Sequence, residues 1–242
     1  MKYAAFILSC MFGLAFTEGQ AQEHFRSTSR DPKINVGIKA GFNSSMYFLD
    51  ELSIGGKEMS NIQNNYKIGY LGALFCQFNL KKHHFIQTEF SYNISNGSIA
   101  IPHTGDNTSY LTGGALIKTR IHSIDMPILY GYKFVDAYPY GMSFFLGPKV
   151  AYIWSKHTKN EHYGFYQQNI TESLHPLYFS GVIGLAVNVG NIFFDFRYEA
   201  GFHNITKSIV YDKELTQAPY NEYDICLKRT RNVLSFSLGV IF

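Results

Sequence analysis

Apolar residues recur at every second position in eight separate stretches of this chain. The clearest runs from Ile192 to Phe202, where Ile192, Phe194, Phe196, Tyr198, Ala200 and Phe202 alternate with Phe193, Asp195, Arg197, Glu199 and Gly201. Near the start, Ile34, Val36, Ile38, Ala40 and Phe42 alternate with Asn35, Gly37, Lys39, Gly41 and Asn43. Further on, Tyr66, Ile68, Tyr70, Leu74, Cys76 and Phe78 alternate with Lys67, Ala73, Phe75 and Gln77, and at the end Leu234, Phe236, Leu238, Val240 and Phe242 alternate with Ser235, Ser237, Gly239 and Ile241. A period of two is that of an extended strand with one apolar face. The pattern predicts strands at roughly 33–47, 66–79, 84–96, 118–134, 140–156, 176–189, 191–203 and 230–242.

The connections alternate in length. Short ones lie around Leu80 to His83, Val135 to Pro139 and Gly190-Asn191, the last a tight-turn pair. Long polar ones lie around Asp50 to Asn65, Gly97 to Ile117, His157 to His175 and Asn204 to Arg229. Short turns at one end and long loops at the other are the habit of transmembrane barrels. The expected fold is therefore all-β, an eight-stranded antiparallel up-and-down transmembrane β-barrel.

The two faces support a membrane solvent. One face is apolar on nearly every strand, whereas the other collects Lys39, Lys67, Gln77, Glu89, Asp125, Lys149, Asp195, Arg197 and Glu199. A soluble ligand-binding barrel would turn the apolar face inward and leave those charges outside. With the apolar face toward lipid, four basic and four acidic side chains enter a lumen that eight strands leave barely wide enough for side chains. Unpaired buried charge is costly, so these groups are expected to pair and plug the lumen.

The N-terminus predicts export. Met1-Lys2 is followed by an apolar run from Tyr3 to Phe16 and by the polar, small segment Thr17 to Gln22. That is a signal-peptide pattern, too short to span a bilayer as a helix. Residues 1–21 are read as the signal peptide and 22–242 as the barrel domain, bound for the cell outer membrane. Cys76 and Cys226 then remain in an oxidising compartment, where nothing local requires them to pair. Aromatic residues make up 17% of the chain, mostly Tyr and Phe, which suits membrane-interface girdles. A net charge of +3 is too small to argue for nucleic acid.

Several segments resemble a known family. Ile124-Asp125-Met126-Pro127-Ile128-Leu129-Tyr130-Gly131-Tyr132, Phe145-Leu146-Gly147-Pro148, the stretch from Phe194 to Ile205 and the closing segment from Asn232 to Phe242 together resemble the PorT-like outer-membrane β-barrel proteins of the Bacteroidetes. Asp125 stands where Glu is usual in that family, and Ile241 lies near an end where Tyr is common. The resemblance implies outer-membrane location. It also implies contact with outer-membrane lipid and lipopolysaccharide, and engagement of the barrel-assembly machinery through the C-terminal strand, with Phe242 as the insertion signal. The name-giving member is needed for protein secretion, so a secretion subunit is one implied role.

Chemistry is sparse. Enzymatic activity is not expected: His122 and Ser123 are neighbours on a strand and face opposite ways, and Ser208 near His203 has no acidic orienter. His157, His162 and His175 are weak metal candidates whose spacing fits no compact motif, and solvated loop residues are the preferred reading. No cofactor is expected. The outer loops, rich in Tyr, Asn, Gln, Ser and Gly, suit an adaptable contact with an unidentified protein or ligand. The expected role is thus structural or binding, with secretion as the alternative and a small-solute porin or lipid-modifying enzyme behind both.

Overall fold

A computed structural model describes residues 32–54, 56–58, 63–101, 115–154, 168–216, 218 and 220–242. In chain order its strands are β1 (Ile34–Ile54), β2 (Lys57–Glu58), β3 (Gln63–Asn79), β4 (His84–Ile101), β5 (Ala115–Ala137), β6 (Tyr140–Ile153), β7 (Gln168–Leu174), β8 (Leu177–Val189), β9 (Ile192–Gly201), β10 (Thr206–Asp212) and β11 (Ile225–Ile241). Eight of them, all but β2, β7 and β10, pair antiparallel with their sequence neighbours. β11 then pairs with β1 from Gly37↔Ile241 to Ile54↔Ile225 and closes the ring. Closure leaves no edge among these eight strands, and the seam ladder runs on through one register shift between Leu49 and Glu51.

The expected eight strands are all present, and several run further than their apolar alternation. β1 continues to Ile54, β4 to Ile101, and β11 begins at Ile225. Alternation reports where one face meets lipid. The hydrogen-bonded ladder persists beyond that zone because each neighbour still offers an edge. β7 and β10, within two of the expected long loops, pair as a separate two-stranded sheet.

The outer surface is apolar. Phe42, Ile68, Leu74, Phe90, Ile128, Leu185, Phe196 and Phe236 are among the large hydrophobics left exposed. So large an exposed apolar surface does not persist in water. On β5 the outward residues from Ile124 to Phe134 span ten steps, about 25 Å at roughly 3.3 Å per residue and a tilt near 40°. That is the height of an outer-membrane hydrocarbon belt. Above it, still facing outward, Arg120 donates to the Asn96 amide oxygen at 3.0 Å.

Inside, the side chains stack in layers from the short-turn end. Close to that end is an aromatic layer. Four phenylalanines each sit directly opposite a glycine of the adjacent strand: Gly37↔Phe75, Phe85↔Gly131, Phe145↔Gly184 and Phe193↔Gly239. A methyl group at any of these glycines would collide with its ring. The four strand pairs thus each contribute one ring and one gap, and the rings fill a lumen too narrow for eight bulky residues. Phe75 and Phe193 meet edge to face at 5.0 Å, and Leu129 and Val182 pack with Phe85 and Phe145. The highest layer is an apolar cap of Tyr47, Ile121, Ala151, Ile153, Tyr178, Ile205 and Leu227. Ile205 enters it because the chain turns inward after β9, with backbone bonds from the Ile205 amide to the Arg229 carbonyl and from the His175 amide to the Ile205 carbonyl, each 2.9 Å.

Candidate functional site

Between the aromatic floor and the apolar cap lies the charged layer. Strand alternation puts Lys39, Glu89, Asp125, Lys149, Asp195 and Arg197 inside, all buried, with Glu199 half-buried at the upper edge. The lower cluster joins four of them. Lys39 Nζ donates to Glu89 and Asp195 at 3.0 Å each. Arg197 donates from Nη1 and Nη2 to the two Glu89 oxygens at 2.8 and 2.6 Å, and from Nε to Asp195 Oδ1 at 2.7 Å. Gln87 adds a donor to Glu89 at 2.6 Å, and the guanidinium lies 4.9 Å from the centre of the Phe145 ring. Two cations facing two anions, with most lone pairs occupied, is the arrangement in which buried charge is tolerated.

The upper cluster is built on Lys149, which donates to Asp125 Oδ2 at 2.8 Å and also pairs with Glu199. Asn93 supplies a second donor to Asp125 Oδ2 at 2.9 Å. Seven of the eight side chains expected in the lumen therefore meet there. The side chain of Lys67 lies outside the described residues, although its backbone pairs with Ser45.

Two lumen cations escape the sequence reading. Arg229 and Arg231 are 1% and 2% exposed and share the inward face of β11 with Val233 and Ser235. The alternation Leu227, Arg229, Arg231, Val233 carries them: Arg229 lies just before the expected strand of 230–242, and Arg231 lies inside it on the face of Ser235. Arg229 stacks on the Tyr47 ring at 4.6 Å and donates to Thr206 Oγ1 at 3.3 Å, tying the inward turn to the barrel wall. The Arg231 guanidinium carbon lies 5.9 Å from the centre of the Tyr178 ring. The ladder between β9 and β11 stops at Val233↔Glu199. Above it the Tyr178 hydroxyl takes the place of a strand, donating to the Arg231 carbonyl at 2.8 Å and accepting from its amide at 3.1 Å.

The other candidates separate. Ser123 faces the lumen, whereas His122 faces outward and bonds the Tyr92 hydroxyl at 2.8 Å. His157 and His162 lie outside the described residues; His175 packs against the His203 ring at 6.4 Å. Residues 1–31, which hold the expected signal peptide, also lie outside them. Cys76 and Cys226 are both free. They sit opposite Val36 and Ser53, seventeen positions apart along β1, or about 55 Å at 3.3 Å per residue. The two thiols therefore cannot pair within one chain.

A closed eight-stranded barrel with a lipid-facing belt has known relatives. The family model described as the outer membrane protein beta-barrel domain matches residues 20–207. The chain belongs to that family. Its place is accordingly the outer membrane. Among solved structures, the outer membrane protein OprG from Pseudomonas aeruginosa is similar with a TM-score of 0.50 and 9% identity, over 86% of this chain and 95% of that one. The outer membrane protease OmpT from Escherichia coli gives 0.44 and 10%, over 90% and 99%, and the attachment invasion locus protein Ail of Yersinia pestis gives 0.40 and 12%, over 87% and 100%. At such identities the likeness is one of fold. No curated protein matches the sequence.

Proposed function

We propose that this family member is a non-conducting, non-enzymatic outer-membrane barrel whose long-loop end serves as a binding surface at the cell exterior. The observation that carries this reading is the occlusion of the lumen at three successive levels: phenylalanine floor, ion-paired layer and apolar cap. Solute passage would require parting the Arg197–Glu89–Lys39 cluster, and buried pairs of that kind are costly to break. The elements that depart from a minimal barrel, the β7–β10 sheet and the inward turn at Ile205, all lie at the long-loop end. Planar-bilayer recording of the purified monomer is expected to show no stable conductance steps. Reproducible single-channel openings would overturn the reading.

A second reading, a subunit of protein-secretion machinery, rests on the four segments that resemble the PorT-like proteins of the Bacteroidetes. In that reading the closed barrel is an anchor. A deletion strain with an unchanged set of secreted proteins would remove it.

A further inference from the structure

Outside the lumen, the long-loop end carries a cleft of about 450 Å³ between β10 and the first residues of β11. That volume falls within the range of roughly 300–1,000 Å³ typical of small-molecule sites. Lys207, Lys213 and Lys228 line it against a single described carboxylate, Asp224. Lys207 and Lys213 form no ion pair with any described residue. One wall is firm, because Ile209, Ile225 and Leu227 also belong to or pack on the apolar cap. The opposite turn is held as well: the Tyr211 hydroxyl bonds the Asn221 and Tyr223 carbonyls at 3.0 and 2.7 Å, and Asp212 Oδ1 accepts from the Glu214 and Leu215 amides at 3.1 and 3.2 Å.

From this we infer that the cleft binds a phosphorylated saccharide. The assignment rests on the reading of the long-loop end as the binding surface and specifies its ligand. The Lys207 and Lys213 ammonium groups, with no guanidinium fork on the lining, suit a phosphate, which Lys meets as a point charge. The aliphatic wall suits the C–H face of a sugar ring, and the Ser208 hydroxyl on the same lining suits its hydroxyls.

Cys226 lines the cleft and reports on it. In the full-length protein with Cys10 and Cys76 replaced by Ser, it is the single thiol. The rate of its modification by N-ethylmaleimide would be measured in neutral detergent with trehalose 6-phosphate, trehalose or inorganic phosphate. A ligand at ten times its dissociation constant occupies about ten-elevenths of the sites, so trehalose 6-phosphate is expected to slow labelling about tenfold. Neither trehalose nor inorganic phosphate should do so. The exposed double variant Lys207→Gln/Lys213→Gln, checked for heat-modifiable migration, should lose the protection. Equal protection by inorganic phosphate, protection that survives in the double variant, or a folded and silent barrel with no protection would each overturn the assignment. The last of these leaves the closed-barrel reading standing, whereas conductance with protection would do the reverse.

Discussion

Arg197 and Glu89, 108 positions apart in the chain, meet across the full width of the barrel through hydrogen bonds of 2.8 and 2.6 Å. Their strands, β9 and β4, stand four places apart in a ring of eight, so they face each other across the lumen. Arg197→Met would leave Glu89 and Asp195 buried with Lys39 as their remaining cation. Breaking such a pair costs about 3–5 kcal/mol. Urea unfolding in detergent is expected to show a clearly lower midpoint for Arg197→Met. Phe196→Tyr, one position away on the lipid face, should stay near wild type. A wild-type midpoint for Arg197→Met would contradict the network.

The floor predicts a coupled pair. Gly131→Ala forces the Phe85 ring from its place, and overpacking of this kind costs about 1–3 kcal/mol. Phe85→Leu alone should also destabilise. In the double variant the smaller side chain relieves the collision, so its loss should fall below the sum of the two singles. Strict additivity in a double-mutant cycle would argue against the direct contact.

Tyr178→Phe tests the hydroxyl that replaces a strand. The change removes both partners of the Arg231 backbone beside the apolar cap. A buried backbone group left unsatisfied costs about 1–3 kcal/mol. Unfolding at the wild-type midpoint, or unchanged amide exchange at Arg231, would show that the hydroxyl is dispensable.

The thiols should behave independently. Purified protein is expected to migrate identically with and without reductant on denaturing gels. Cys226 should react with a water-soluble maleimide faster than lipid-facing Cys76. An intramolecular disulfide would contradict the register of β1 with β3 and β11.

Phe242 closes the seam. Its amide donates to the Val36 carbonyl at 2.8 Å, and its ring is 61% exposed on the lipid side. Deleting it, at low expression, is expected to lower the heat-modifiable fraction and raise the unfolded pool in the periplasm. Full wild-type yield of folded protein would remove this residue from assembly.

Much of the architecture was legible one strand at a time. Period-two alternation in Ile192–Phe202 and Leu234–Phe242 assigns each residue to a face, because successive side chains on a strand point opposite ways. Parity alone therefore placed Lys39, Glu89, Asp125, Lys149, Asp195, Arg197 and Glu199 in the lumen, and alternating loop lengths set the up-and-down order. Parity carries no height, however. Which Phe meets which Gly, and that Arg197 reaches Glu89 rather than Asp125, depends on register between strands. Register comes from ladders joining residues such as Gly239 and Phe193, distant in sequence. The longer reach of β1, β4 and β11, the inward turn at Ile205, the burial of Arg229 and the lysine-lined cleft were decided only in three dimensions. Beyond the membrane zone both faces of a strand can be polar, so alternation falls silent while the backbone ladder continues.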